Sequence, residues 1–161
     1  MEAISKIKEE TRPNLEGLDL QEYIKKVKAL KTELAKEKGG KPKILVVDDE
    51  PHIANLIKAS LEDDFEVILA NSGNEALHRA RYERPDLITM DIMMPGMSGF
   101  EVVEEFKKWE DTSKIPVIFL SAKDKLKDMY KGMLTGADDY VTKPFEPEDL
   151  VNRVKAVINT E

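Results

Sequence analysis

From residue 43 onward, short apolar runs alternate with longer stretches in which apolar residues recur every three or four positions. The first pattern suits strands buried on both faces, and the second suits amphipathic helices. Strands are predicted at 43–47, 65–70, 86–90, 115–120 and 138–142. Helices are predicted near 51–63, 73–83, 99–109, 124–135 and 147–159. The boundary residues agree: Pro51 and Pro147 suit a first helical turn, while Ser72-Gly73, Gly99 and Gly136 punctuate connections. Strict strand–helix alternation with right-handed crossovers predicts an α/β fold, a doubly wound five-stranded parallel sheet in a three-layer sandwich.

Before residue 43 the pattern changes. Gly39-Gly40 and Lys41-Pro42 mark a linker, so residues 1–42 are expected to form an N-terminal helical extension and residues 43–161 the main domain. Leu18, Asp19, Glu22 and Tyr23 read as staple, N-cap, N3 and N4, a variant of the capping box. After them Leu20, Tyr23, Val27, Leu30 and Leu34 fall at a/d spacing, with Ile24 widening the stripe, which predicts one helix over 20–38. Residues 3–11 are expected to form a shorter helix carrying Ile4 and Ile7 and ended by Pro13. Two heptads are marginal as an isolated coiled coil, so the stripe is expected to pack on the main domain or to dimerise.

Composition narrows the function classes. The chain has 161 residues, no cysteine and a net charge of −7. Neither a disulfide framework nor a thiolate metal site is available. No apolar stretch approaches the ~20 residues that span a bilayer, and no signal peptide stands out, so a cytoplasmic protein with no membrane partner is expected. Residues 1–43 carry eleven Lys and Arg against eight Asp and Glu, or +3, which leaves −10 for the remainder. An acidic main domain argues against direct nucleic-acid binding.

The candidate chemistry lies where apolar runs end. Asp48 and Asp49 follow Ile44-Leu45-Val46-Val47, Asp91 follows Leu87-Ile88-Thr89-Met90, and Lys143 follows Tyr140-Val141-Thr142. If those runs are parallel strands, their carboxyl ends share the edge where open α/β sheets place their sites. Two like charges about 4 Å apart repel by about 4 kcal/mol at an effective dielectric near 20, so the acids need a cation. Oxygen-only ligands favour Mg2+, which takes one or two carboxylates and accepts a phosphate oxygen. Phosphoryl transfer follows, with Asp91 as nucleophile and with Mg2+ and Lys143 neutralising charge. Taken singly, each residue has a plainer role: Asp49 or Glu50 as cap of the helix at Pro51, Asp91 as a turn residue, Lys143 as a solvated charge.

Four segments in register resemble the receiver domains of two-component response regulators over roughly residues 43–159. They are Val46-Val47-Asp48-Asp49-Glu50, Asp91-Ile92-Met93-Met94-Pro95-Gly96, Pro116 to Ala122, and Gly136 to Phe145. Ser121 lies 30 residues after Asp91, and Lys143 lies 22 after Ser121. The resemblance implies a flavodoxin-like (βα)5 domain in which Asp91 accepts a phosphoryl group from a histidine kinase or phosphotransfer protein. It implies Mg2+ held by Asp48, Asp49, Asp91 and the Met93 backbone carbonyl, with Lys143 and Ser121 contacting phosphoryl oxygens. It further implies a cis Lys143-Pro144 peptide and an aromatic switch at Tyr140. Signalling would leave through the 124–159 face.

Other classes stay in view. Haloacid-dehalogenase-like phosphohydrolases place a second aspartate two residues after the nucleophile, where this chain has Met93. A constitutive interaction protein would not need the clustered acids. His52 and His78 read as surface residues, and residues 1–42 contain no histidine that could carry phosphate. Because the sequence stops at Glu161, no fused DNA-binding or enzymatic output domain is expected, nor catalysis beyond the protein's own aspartyl phosphorylation and dephosphorylation. A downstream partner or a self-dimer would engage the 124–159 face or the 20–38 helix. Asp138, Asp139, Asp149, Arg153 and Lys155 resemble part of a charged dimerisation face, and Met129 with Met133 adds an apolar pair.

Overall fold

The computed structural model describes residues 19–37 (side chains as far as Lys31), 40–122, 134 and 136–159. Contacts divide the chain into two compact units, Met1–Lys41 and Pro42–Glu161. In the first, helix α1 runs over Leu20–Glu37. Asp19 caps it as the spacing predicts, its Oδ1 accepting the Glu22 N–H at 2.8 Å. Leu20, Tyr23 and Ile24 are exposed within this unit. The predicted helix at 3–11, the Leu18 staple and, apart from Leu134, the predicted helix at 124–135 with Met129 and Met133 lie outside the described residues.

The second unit alternates strands and helices: β1 Lys43–Val47, α2 Pro51–Leu61, β2 Glu66–Ala70, α3 Gly73–Glu83, β3 Leu87–Asp91, α4 Gly99–Lys107, β4 Val117–Ala122, β5 Asp139–Lys143 and α5 Pro147–Asn159. The sheet is parallel throughout, in the order β2-β1-β3-β4-β5. One face, with Leu45, Val47, Ile88, Met90 and Phe119, packs on Ala76 and Ala80 of α3 and on Phe100, Val103 and Phe106 of α4. The other, with Ile44, Val46, Leu87, Ile118 and Leu120, packs on Ile57 and Leu61 of α2 and Leu150 and Val154 of α5. The two faces make the doubly wound, flavodoxin-like sandwich. Each such buried Val, Leu, Ile, Met or Phe side chain contributes about 1.5–3 kcal/mol, more than the ~1 kcal/mol of a helix cap, so the apolar runs dominate the choice of fold.

Element ends differ from the sequence expectation by one or two residues, with identifiable causes. Pro116 cannot donate to the ladder, and Ile115 N–H closes a turn onto Thr112, so β4 starts at Val117 and extends through Ser121 and Ala122. Asp138 spends its carboxylate on the Val117 N–H at 2.9 Å, and β5 begins one residue later and includes Lys143. Phe65 N–H bonds the carbonyl of Leu61, shortening α2 and delaying β2. Asp91 is therefore the last residue of β3, paired with Leu120, and does not follow the strand. Helices α3 and α4 begin as their Ser-Gly starts imply: Ser72 accepts from Glu75 N–H at 3.1 Å, and Ser98 from Glu101 N–H at 3.3 Å. Among the described residues no helix is long and apolar enough to cross a membrane.

Candidate functional site

Because every strand runs the same way, Asp48 and Asp49 after β1, Asp91 at the end of β3, Ser121 near the end of β4 and Lys143 at the end of β5 meet at one edge. The strand order reverses between β1 and β3, which opens the crevice there. Carboxylate oxygens of Asp48, Asp49 and Asp91 all lie within 4.8 Å of one another. Lys143 Nζ joins them, donating to Asp48 Oδ2 at 2.8 Å and to Asp91 Oδ1 at 3.2 Å. The other oxygen of Asp48 accepts the Glu50 N–H at 3.0 Å, closing the turn into α2. Glu50 occupies the N-cap position of α2, but its side chain makes no capping bond, so the acids here are not explained as helix caps.

The electrostatics follow from burial. Asp48 is 1% exposed and Asp91 7%, while Asp49 is half-buried at the rim. Burial raises the Asp91 carboxyl most; Lys143 pulls it down and Asp48 pushes it up, leaving it at about 6 from an ordinary 3.8. Burial lowers the Lys143 ammonium, yet the hydrogen bond to Asp48 and the charge of Asp91 outweigh this and hold it above its usual value. One ammonium against three carboxylates leaves negative charge unbalanced. A hard divalent cation fits that donor set: three carboxylates, no nitrogen and no sulfur.

Around this cluster the remaining predicted residues take distinct positions. Ser121 is buried, and its hydroxyl has no hydrogen-bond partner. Tyr140 is half-buried against the core face lined by Phe119, with its hydroxyl also buried and without a partner. Met93 lies in the loop from β3 to α4 with its side chain 62% exposed. The Lys143-Pro144 peptide is cis, as the resemblance implies. His52 and His78 are exposed on α2 and α3.

Two features escaped the sequence reading. Thr89, buried one step before Asp91 on the same strand face, carries a hydroxyl without a partner. Gly99, taken only as punctuation, begins α4 against the backbone of Asp91, and a Cβ there would fall 2.4 Å from the Asp91 carbonyl oxygen. A glycine eight residues after Asp91 is a signal, but its contact is tertiary and not readable from spacing. The charges expected at a dimer face are engaged within the chain: Arg153 pairs with Asp139 and Asp149, both at 3.0 Å, and Lys155 with Asp64 at 3.4 Å.

Comparison with known proteins agrees with this geometry. The sequence pattern of the response regulator receiver domain matches residues 44–155. The alkaline phosphatase synthesis transcriptional regulatory protein PhoP of Bacillus subtilis is 44% identical over 117 residues, 72% of this chain and 48% of PhoP. The phosphate regulon transcriptional regulatory protein PhoB of Rhizobium meliloti is 41% identical over 118 residues, 73% of this chain and 52% of PhoB. The chain thus spans about half the length of the curated relatives it matches. Among solved structures, the chemotaxis protein CheY4 of Vibrio cholerae superposes with a TM-score of 0.69 at 33% identity, covering 73% of this chain and 99% of CheY4. The receiver domain of the sensor histidine kinase PA1611 of Pseudomonas aeruginosa, with magnesium coordinated in its active-site cleft, gives 0.69 at 29% identity, covering 74% and 99%.

Proposed function

The chain belongs to the response regulator receiver family, a family of signalling domains that bind Mg2+ in an acidic site and interact with histidine kinases or phosphotransfer proteins; from that premise we propose that Asp91 is its phosphoacceptor. A carboxylate oxygen of Asp91 forms the new bond to phosphorus as the bond to the donor imidazole nitrogen breaks, and the electron pair leaves with that nitrogen. The product is an acyl phosphate, later hydrolysed by water. The observation that carries this reading is the buried convergence of Asp48, Asp49 and Asp91 on the Lys143 ammonium. Lys143 orients Asp91 before transfer and holds a phosphoryl oxygen after it. Ser121 has an unused buried hydroxyl and donates it to another.

Asp48, Asp49, Asp91 and the Met93 carbonyl would hold Mg2+. When bound, that ion neutralises charge on the phosphoryl oxygens. Withdrawal of the Ser121 hydroxyl toward the phosphoryl group frees space beside Tyr140, so phosphorylation biases a pre-existing equilibrium of that ring. The β5 and α5 part of the 124–159 face carries the change to a partner or a second copy, and the exposed stripe of α1 is a second association surface. Residues 1–42 act as the helical extension and 43–161 as the receiver, in the cytoplasm.

Incubation with acetyl phosphate and Mg2+, followed by intact mass, tests the proposal. One phosphoryl adduct is expected, not formed when EDTA replaces Mg2+ and absent in Asp91→Asn. An unmodified wild-type chain, or an adduct that persists in the variant, contradicts it.

A further inference from the structure

The loop between β3 and α4 leaves the sheet at Asp91 and returns at Gly99, and its two ends are pressed together. Gly99 N–H donates to the carbonyl of Ile92 at 3.0 Å, and the Ile92 N–H in turn donates to Leu120 of β4 at 3.3 Å. A Cβ on Gly99 would stand 2.4 Å from the Asp91 carbonyl oxygen, 2.9 Å from Ile92 Cα and 3.0 Å from Met90 Cγ. The two nearest atoms are backbone: Asp91 ends the central strand and Ile92, the next residue, is tied to β4 by its bond to Leu120, so neither shifts cheaply. Gly99 is not in the left-handed region, unlike Gly96 and Gly136. Alanine could therefore adopt its backbone angles, and only the missing space forbids it.

We infer that Gly99 is a positioning residue for the cation site: the absence of a side chain lets the first turn of α4 seat on the Asp91–Ile92 peptide, which fixes the Asp91 carboxylate and the start of the loop bearing Met93. This rests on the phosphoacceptor reading of the same site. Gly99 touches no ligand itself and acts through the strand end, as an outer-shell partner does. Contacts at Gly73, the corresponding start of α3, show the difference. There the nearest atoms to an added Cβ are side-chain atoms of Val102 and Met97, and none belongs to the acidic cluster.

Gly99→Ala tests this against Val103→Ala, a side-chain truncation in the buried face of the same helix that adds no atom at the Asp91 peptide. Each full chain is titrated with Mg2+ alone and followed by amide NMR shifts, with urea unfolding alongside. Gly99→Ala should weaken Mg2+ binding by about 10- to 100-fold, the usual effect of losing outer-shell support. Val103→Ala should lose stability and keep the wild-type Kd. Equal Mg2+ affinity in Gly99→Ala and wild type overturns the inference, as does a matching loss in Val103→Ala. Should Gly99→Ala not fold, the cap variants decide. Ser98→Ala loosens the turn that seats Gly99 and should weaken binding about twofold to fivefold, the scale of one lost cap. Ser72→Ala, which loosens α3, should not. No difference between the two caps overturns the inference. Mg2+ binding by wild type without an acetyl phosphate adduct defeats the phosphoacceptor role alone, whereas a wild-type chain that binds no Mg2+ defeats both.

Discussion

Asp91 is held where ionisation is expensive. Its folded value of about 6 lies above the ordinary 3.8 because burial disfavours the carboxylate more than Lys143 favours it. The stabilising contribution of the protonated acid is complete below about pH 4 and is lost as pH rises through 6. In metal-free protein, Asp91→Asn should therefore raise stability at pH 7, on the order of 1–3 kcal/mol, and leave it unchanged near pH 4. Urea midpoints at the two pH values check this, and a gain of equal size at both contradicts it. Sequence made the acid and its charge partners legible, since four residues at strand ends at one sheet edge have few other uses. It could not show the unpartnered hydroxyls of Ser121, Thr89 and Tyr140, because partners in a folded core come from packing.

At the scale of elements, β1, β3 and β4 are visible as apolar runs because the covered centre of a parallel sheet buries both faces of each strand, whereas the edge strands β2 and β5 are only partly buried. Their ends were less legible. The bond that the Asp138 carboxylate accepts from Val117 N–H, the one that Phe65 N–H donates, and the missing donor of Pro116 set them, and such bonds have no periodicity. The loop from β3 to α4 shows the same division. Its glycines could be seen, whereas the seating of Gly99 on Asp91 could not. Met93 lies in this loop two residues after Asp91, apolar and exposed. It should hinder the approach of the attacking water, so Met93→Asn is expected to shorten the acyl phosphate lifetime by a few-fold in a decay assay. An unchanged decay rate removes Met93 from the hydrolytic step.

At the scale of the whole molecule, the Pro42–Glu161 unit holds the acidic cluster and α1 carries an apolar stripe that its own unit does not cover: Leu20, Tyr23 and Ile24. Exposed apolar rows of this kind favour association. The full chain should sediment at a multiple of its own monomer mass while residues 41–161 sediment as a monomer at the same concentration, and both should accept phosphate at the same rate. The same number of copies per species in both would assign α1 no role in self-association. The central claim, that one aspartate takes the phosphoryl group, is tested most directly by borohydride trapping after acetyl phosphate treatment. Reduction of an aspartyl phosphate leaves homoserine, which peptide mass spectrometry locates. Homoserine at position 91 alone is expected; homoserine at 48 or 49, or at none of the three, contradicts it.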